Sequence, residues 1–298
     1  MPAKEQSPFP ESASVSELLM TQLELENTCT PVEIMKILEG FHALPLTVKP
    51  HMAKLAIGMR QGSLRVRQFT REPVAEHVTL YRGDHPVGTD ANKALLICFT
   101  GNAHRVMMPI SMFLQFVPES RFDLLLLRDP KKLNYLAGIP GYADAPELLL
   151  DRLQRDLKGW SRYEWKTCYG TSGGGAAALY AGCYLNVERA VSVGGQHASR
   201  SERLKESLAK NQFPPEQIGS LDRLIEQSAS TCSTQFLAVF GADFESDRAG
   251  ALSLQACFPD CRLHPIAGLN NHAIVRHLLE TNAFQAFLDE HVLSDPRR

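Results

Sequence analysis

The chain has 298 residues, with 31 Lys and Arg against 33 Asp and Glu, a formal net charge of −2, and 44% hydrophobic and 21% charged residues. These proportions belong to a folded globular protein and exclude a disordered chain, a collagen and a coiled-coil rod. The near-neutral balance argues against a general nucleic-acid binder, which needs a surplus of Lys and Arg to meet phosphate. No apolar run reaches the ~18 residues that span a bilayer; Ala176 to Val193 comes nearest and is broken by Asn186, Glu188 and Arg189. The polar stretch Met1 to Ser16 lacks the apolar region of a signal peptide. Seven cysteines (Cys29, Cys98, Cys168, Cys183, Cys232, Cys257 and Cys261) form no CxxC pair, which fits reduced thiols and a cytoplasmic location.

In chain order, Met1 to about Val15 reads as a flexible tail. A first helix is predicted through Leu18, Leu19, Leu23 and Leu25. Thr30-Pro31-Val32-Glu33 starts a second: a Thr cap, Pro at the first helical position and Glu three residues after the cap, with Gly40 as the stop. A third is predicted from Pro50 to Arg60. Residues 1–62 therefore read as a tail and a helical prelude, which leaves open docking on the core, capping of a sheet edge or self-association.

The period then changes. Leu64 to Phe69 and His77 to Tyr81 alternate as strands do. The continuous apolar runs Ala94 to Thr100 and Phe122 to Leu127 suit strands buried on both faces. Helices are predicted at Val106 to Phe116, Pro146 to Leu157, Gly174 to Tyr184, Arg248 to Cys257 and His272 to His291. Further strands are predicted at Trp165 to Tyr169, Ala190 to Val193, Gln235 to Phe240 and Arg262 to Ile266. Such alternation predicts an α/β protein: a mostly parallel twisted sheet with helices on both faces, its first strands antiparallel because no helix separates them.

Tyr169-Gly170-Thr171-Ser172-Gly173-Gly174-Gly175 carries the chemistry. It contains Gly-x-Ser-x-Gly between a predicted strand and a predicted helix. A sharp turn there strains the Ser backbone and exposes its oxygen at the carboxyl edge of the sheet. Small residues two before and two after permit the close approach. The Gly173 amide follows at a helix N-terminus, where a developing oxyanion is stabilised.

In architecture and motif order, from about Leu64 to His291, the sequence resembles the α/β-hydrolase superfamily. The resemblance implies the α/β-hydrolase fold over 63–298 and a nucleophile, an acid and a His in that order. Ser172 is the implied nucleophile. His272, in the Gly268-Leu269-Asn270-Asn271-His272 loop after the last strand, is the implied base; His264 and His277 are weaker candidates, and His104 and His197 come too early. The acid belongs after the penultimate strand, in Gly241-Ala242-Asp243-Phe244-Glu245-Ser246-Asp247. The commonest spacing would land on Phe244, so Asp247, just before the next predicted helix, is favoured over Asp243, with Glu245 third. The second oxyanion donor is expected from Thr100-Gly101-Asn102, at the Asn102 amide beside that of Gly173. Thr-Gly-Asn is not the tri-glycine loop of many lipases. The polar insertion 196–233 occupies the superfamily's lid position; it carries mixed charge, a Pro214-Pro215 break, and Arg200 and Arg203 as possible contacts to an acidic substrate.

The implied function is an esterase- or thioesterase-like serine hydrolase acting on a small-molecule ester or acyl substrate, with acyl transfer to another acceptor left open. No metal or cofactor is implied: the ten His show no HExxH spacing. Two other readings stand beside it. One is a non-catalytic α/β-hydrolase fold used for binding. The other is nucleotide binding at Gly173-Gly174-Gly175, which lacks the early strand and the acidic residue ~20 positions on, Glu188 being too near.

Overall fold

The computed structural model describes residues 8–10, 12–84, 93–159, 163–210, 216–229 and 231–297. The expectation of a flexible tail falls largely on residues 1–7 and 11, outside the described ones. Helices α1 (Val15–Thr28) and α2 (Pro31–Glu39) each open on a capping box. The Ser14 hydroxyl accepts the Glu17 amide at 3.3 Å while the Glu17 carboxylate accepts the Ser14 amide at 2.7 Å. Thr30 and Glu33 repeat this at 3.2 and 2.7 Å, with Pro31 at the first helical position. With α3 (Lys49–Gly62) these helices bury Leu18, Ile34, Val48, Met52, Leu55 and Met59 in a cluster of their own that also touches Met112. The prelude is therefore docked on the core.

β1 (Phe69–Ala75) pairs antiparallel with β2 (Val78–Gly83), and β2 antiparallel with β4 (Phe122–Leu127). From there the pairing is parallel through β3 (Lys93–Phe99), β5 (Tyr163–Thr171), β6 (Arg189–Val193), β7 (Gln235–Gly241) and β8 (Arg262–Ile266), in the order β1-β2-β4-β3-β5-β6-β7-β8. Among the described strands only β2 runs against the rest. The first strand lies later than its predicted Leu64–Phe69. As an edge strand, with Thr70 to Pro73 exposed, β1 needs no apolar period and tolerates Pro73.

The apolar runs divide between the two faces. Leu95, Ile97, Phe99, Leu125 and Leu127 meet α5 (Pro146–Gly159), α6 (Gly175–Leu185) and α9 (Glu245–Cys257). Ala94, Leu96, Cys98, Leu124 and Leu126 meet α4 (Ile110–Phe116), α10 (Ile274–Glu280) and α11 (Phe284–His291). Burial on both sides is why these strands read as unbroken apolar stretches. The single helix expected from His272 to His291 is two helices, because Asn282 adopts a left-handed φ of 55° and ends α10 as such a residue ends many helices.

At the strand edge away from the carboxyl ends, a buried polar knot joins four strands. The Lys93 ammonium donates to Asp123 and to the Gly83 carbonyl, both at 2.7 Å, and the Tyr163 hydroxyl donates to the other Asp123 oxygen at 2.8 Å. At the opposite edge β5 runs into α6 with almost no separation from β3. A Cβ on Gly174 would lie 2.3 Å from the Phe99 carbonyl oxygen, and one on Gly170 would lie 2.1 Å from the Gly174 oxygen.

Between β6 and β7 the chain forms α7 (Glu202–Lys210) and α8 (Glu216–Ala229), whose Leu204, Leu208, Leu221 and Ile225 are buried over α6. The expected Pro214-Pro215 break lies outside the described residues. Asp222 of α8 accepts the Tyr180 hydroxyl at 2.9 Å and lies 3.0 Å from His197 Nε2. That hydrogen bond, and next one to Cys257, push the His197 pKa up to about 9.

Two outcomes follow from this packing. Gly174→Ala is expected to destabilise the protein by at least about 1–3 kcal/mol in urea unfolding, because the added methyl meets backbone that has nowhere to move. For His197, the folded state holds the proton more tightly than a free imidazole of pKa 6.5, so the stabilisation is complete below that pH and fades as pH rises through about 9. The thermal midpoint of the wild type should fall relative to that of His197→Gln across this window, and a constant difference would contradict the assignment.

Candidate active site

Ser172 follows the last residue of β5 and sits at φ +50°, at the head of a single 3₁₀ turn, Ser172–Gly174, that leads into α6. A non-glycine residue there is strained and persists only where its surroundings over-determine it. The loop after β3 presses against this turn. A Cβ on Gly101 would lie 3.1 Å from both Ser172 Cβ and the Thr171 carbonyl oxygen. The loop closes on itself, the Gly101 amide donating to the Arg105 carbonyl at 3.0 Å, and that carbonyl also accepts the Thr171 hydroxyl at 3.2 Å. Asn102 is exposed on this loop and adjoins Gly173: a Cβ on Gly173 would stand 2.8 Å from Asn102 Oδ1 and 2.6 Å from Asn134 Oδ1.

Sequence reasoning missed Asn134. It and Tyr135 adopt φ of 54° and 65° in the loop after β4, where buried Asp129 accepts the Leu133 and Tyr135 amides at 2.7 and 2.9 Å. The Tyr135 hydroxyl anchors the loop by donating to the Leu127 carbonyl at 2.7 Å. In the sequence Asn134 is one more Asn after a strand, and nothing marks it.

His272 reaches Ser172 from the loop after β8. Its Nε2 lies 3.0 Å from Ser172 Oγ and its Nδ1 lies 2.7 Å from Asp247 Oδ1. Its side chain is 43% exposed and that of Asp247 only 5%. Asp247 falls inside the first turn of α9, which begins at Glu245, and not before the helix as expected from the sequence. Asp243 and Glu245 are exposed. Asp247 Oδ2 is buried with no hydrogen-bond partner among the described residues, and Oδ1 meets Nδ1 of the His272 ring. Gly194, at φ +63° beyond β6, makes room for the ring: a Cβ there would lie 2.8 Å from His272 Cε1 and 3.2 Å from Met107 Cε.

The other histidines lie elsewhere. His264 stacks edge-on to His291 at 4.7 Å, and burial, followed by Arg262, lowers its pKa. Burial, then Arg128 and Lys132, lowers that of His104. His197 is buried against Asp222 and Ser199. His277 lines, with Asn271, His272, Arg276 and Glu280, an open depression of about 620 Å³ beside the His272 loop. Arg200 is exposed, and the side chain of Arg203 lies outside the described residues. Glu188 accepts the Lys166 amide at 2.8 Å. Among the described residues no three His, Cys, Asp or Glu converge as metal ligands, and no helix is long and apolar enough to cross a membrane.

No family model matches the chain, and no curated protein matches it in sequence. Solved structures do resemble it. A capsule O-acetyltransferase of Neisseria meningitidis serogroup A is 15% identical with a TM-score of 0.48, over 73% of this chain and 94% of its own. Est1E from Butyrivibrio proteoclasticus is 12% identical with a TM-score of 0.48, over 76% of this chain and 99% of its own. Brefeldin A esterase, a bacterial homologue of human hormone sensitive lipase, is 13% identical with a TM-score of 0.44, over 96% of this chain and 92% of its own. The chain's own topology, a parallel sheet with β2 alone reversed and a strand-turn-helix elbow at the end of its fifth strand, is that of the α/β-hydrolase fold.

Proposed function

We propose that this protein is a serine hydrolase acting on a small ester or related acyl substrate, with Ser172 as nucleophile, His272 as general base and Asp247 as the acid that orients it. The observation that carries the reading is the pair of contacts Ser172 Oγ–His272 Nε2 at 3.0 Å and His272 Nδ1–Asp247 Oδ1 at 2.7 Å, met at a serine in a strained left-handed turn.

With His272 neutral and protonated on Nδ1, that N–H donates to Asp247 and leaves Nε2 free to accept the Ser172 proton. The Ser172 oxygen adds to the substrate carbonyl as the proton moves to Nε2, giving a tetrahedral oxyanion and an imidazolium. The nearly dry carboxylate of Asp247, which accepts from Nδ1 at 2.7 Å, stabilises that imidazolium as it forms. Nε2 then returns the proton to the leaving oxygen or sulfur as the carbon–heteroatom bond breaks. Water, activated by the same nitrogen, cleaves the acyl-enzyme. The amides of Asn102 and Gly173 are the proposed oxyanion donors. Their neighbouring positions beside Ser172 support this, as does the helix N-terminus behind Gly173.

The rim supports a polar rather than a fatty substrate, since Asn102, Asn134, Asn271 and Arg276 border or approach it. The helices α7 and α8 lie where a lid is proposed, over α6. All seven cysteines are free thiols, which supports a reducing, cytoplasmic location.

Turnover of p-nitrophenyl acetate and labelling by a fluorophosphonate probe test the reading. Ser172→Ala should abolish both, with kcat down roughly a millionfold if the site works as a unit, while circular dichroism stays that of the wild type. Retained turnover in that variant would sink the proposal, and a wild type that neither turns over the ester nor takes the label would leave the fold as a binding module. Asp247→Asn should lower kcat by about four orders of magnitude, whereas Asp243→Asn and Glu245→Gln should leave it within a few-fold; the opposite ranking would move the acid to another carboxylate of the loop.

A further inference from the structure

The loop that carries Asn102 is held from two sides. On one side the Arg105 carbonyl ties it to the serine turn. On the other, its remaining polar contacts run to the last turns of α1. The Arg105 guanidinium lies 2.9 Å from the Glu26 carboxylate, with the two side chains 23% and 9% exposed. The Asn27 side-chain amide donates to the Ala103 carbonyl at 3.3 Å. Both helix residues are among the buried polar ones. Asn27 Oδ1 and Arg105 Nε are buried with no partner among the described residues, so losing either contact would leave still more buried polar atoms unpaired.

The helix end is itself braced against the sheet, independently of the loop. The Tyr81 hydroxyl donates to the Thr28 carbonyl at 2.7 Å, and Arg128 pairs with Glu24 at 2.9 Å while also donating to the Glu76 carbonyl at 3.1 Å; within the helix, Gln22 donates to Glu26. A helix fixed to β2 and the end of β4 therefore grips a loop that has only the five residues from Gly101 to Arg105 to adjust. A shift of the loop by a fraction of an ångström moves the Asn102 amide by the same amount, and oxyanion stabilisation depends on donor placement at that scale.

We propose that Glu26 and Asn27 are positioning residues of the active site, holding the Asn102 amide at the oxyanion position through Arg105 and Ala103, so that the N-terminal helix is part of the acyl-transfer apparatus. This rests on the serine-hydrolase reading above. Neither residue touches substrate; each acts through the loop.

The full-length protein and its variants Glu26→Gln, Asn27→Ala and Arg105→Lys test this on p-nitrophenyl acetate, with kcat expressed per fluorophosphonate-labelled Ser172. Glu26→Gln keeps shape and the Gln22 contact while removing the charge. It should lower kcat per labelled site by roughly 10-fold or more, short of the 10²–10³ that follows complete loss of an oxyanion donor, with KM unchanged. Affinity for a trifluoromethyl ketone, which mimics the tetrahedral oxyanion, should fall by the same factor. Arg105→Lys should fall less than Arg105→Ala, and the exchange Glu26→Arg with Arg105→Glu should recover most of the loss. A purely structural contact would lower the number of labelled sites and leave kcat per site and the ketone affinity at wild-type values, and that result overturns the inference. Should the exchange variant not fold, Glu26→Gln alone decides. If Ser172→Ala is itself active, the serine-hydrolase reading fails first; if Ser172→Ala is dead and Glu26→Gln is unaffected, only the positioning role fails.

Discussion

The left-handed turn at Ser172 is the constraint from which the rest of the molecule is arranged. A serine at φ +50° is uphill, and it stays there because β5 and α6 meet with no side chain between them. Gly170 and Gly174 supply that absence, and the carbonyls of Phe99 and Thr100 occupy the space a methyl would need. Once this contact is made, the oxygen of Ser172 projects from the sheet edge, α6 aims its N-terminus beneath it, and the loops after β3 and β4 close on either side of Gly173. The clustering of left-handed residues around it, His104, Met107, Asn134 and Tyr135, shows how much of the neighbouring backbone is bent to fit.

Much of this was legible because burial leaves its mark on composition. Strands covered on both faces are unbroken in the sequence, and the glycines around Ser172 are spaced by the close approach they permit. The edge strand β1 was misplaced because an exposed strand with one partner carries no apolar signal. The break between α10 and α11 was overlooked because Asn282 signals a stop only when its backbone is known to turn left-handed. The acid loop offers three carboxylates, of which the sequence favours Asp247 over Asp243 and then Glu245. The start of α9 at Glu245, which turns the third residue of that helix toward the β8 loop, separates a buried Asp247 from its exposed neighbours. Asn134, Glu26 and Asn27 were invisible for a different reason: their contacts are with segments far along the chain, and a local pattern holds no trace of them.

The structure also contains a near-copy of the proposed catalytic contacts. His197 lies 3.0 Å from Asp222 and 2.5 Å from Ser199. Yet Ser199 is two residues from its own imidazole, in an ordinary turn, and the ring of His197 is itself buried. Its hydrogen bonds raise the affinity of the ring for a proton, which suits a fastening. At Ser172 the ring is half in solvent and its hydroxyl partner is held by strained backbone. Chemistry of this kind is set by the backbone that presents the oxygen more than by the hydrogen bonds alone.

The polar knot of Lys93, Asp123 and Tyr163 lies at the other end of the same strands. Parallel strands have no hairpin to fix their alignment, and a slip by one residue would turn every inward side chain outward. A buried ammonium that must meet Asp123 and the Gly83 carbonyl at once admits a single alignment of β2, β3, β4 and β5. The knot is thus a molecular index mark: it sets where the parallel strands begin, and the rim from which Ser172 projects inherits its level from a charge pair at the opposite end of those strands.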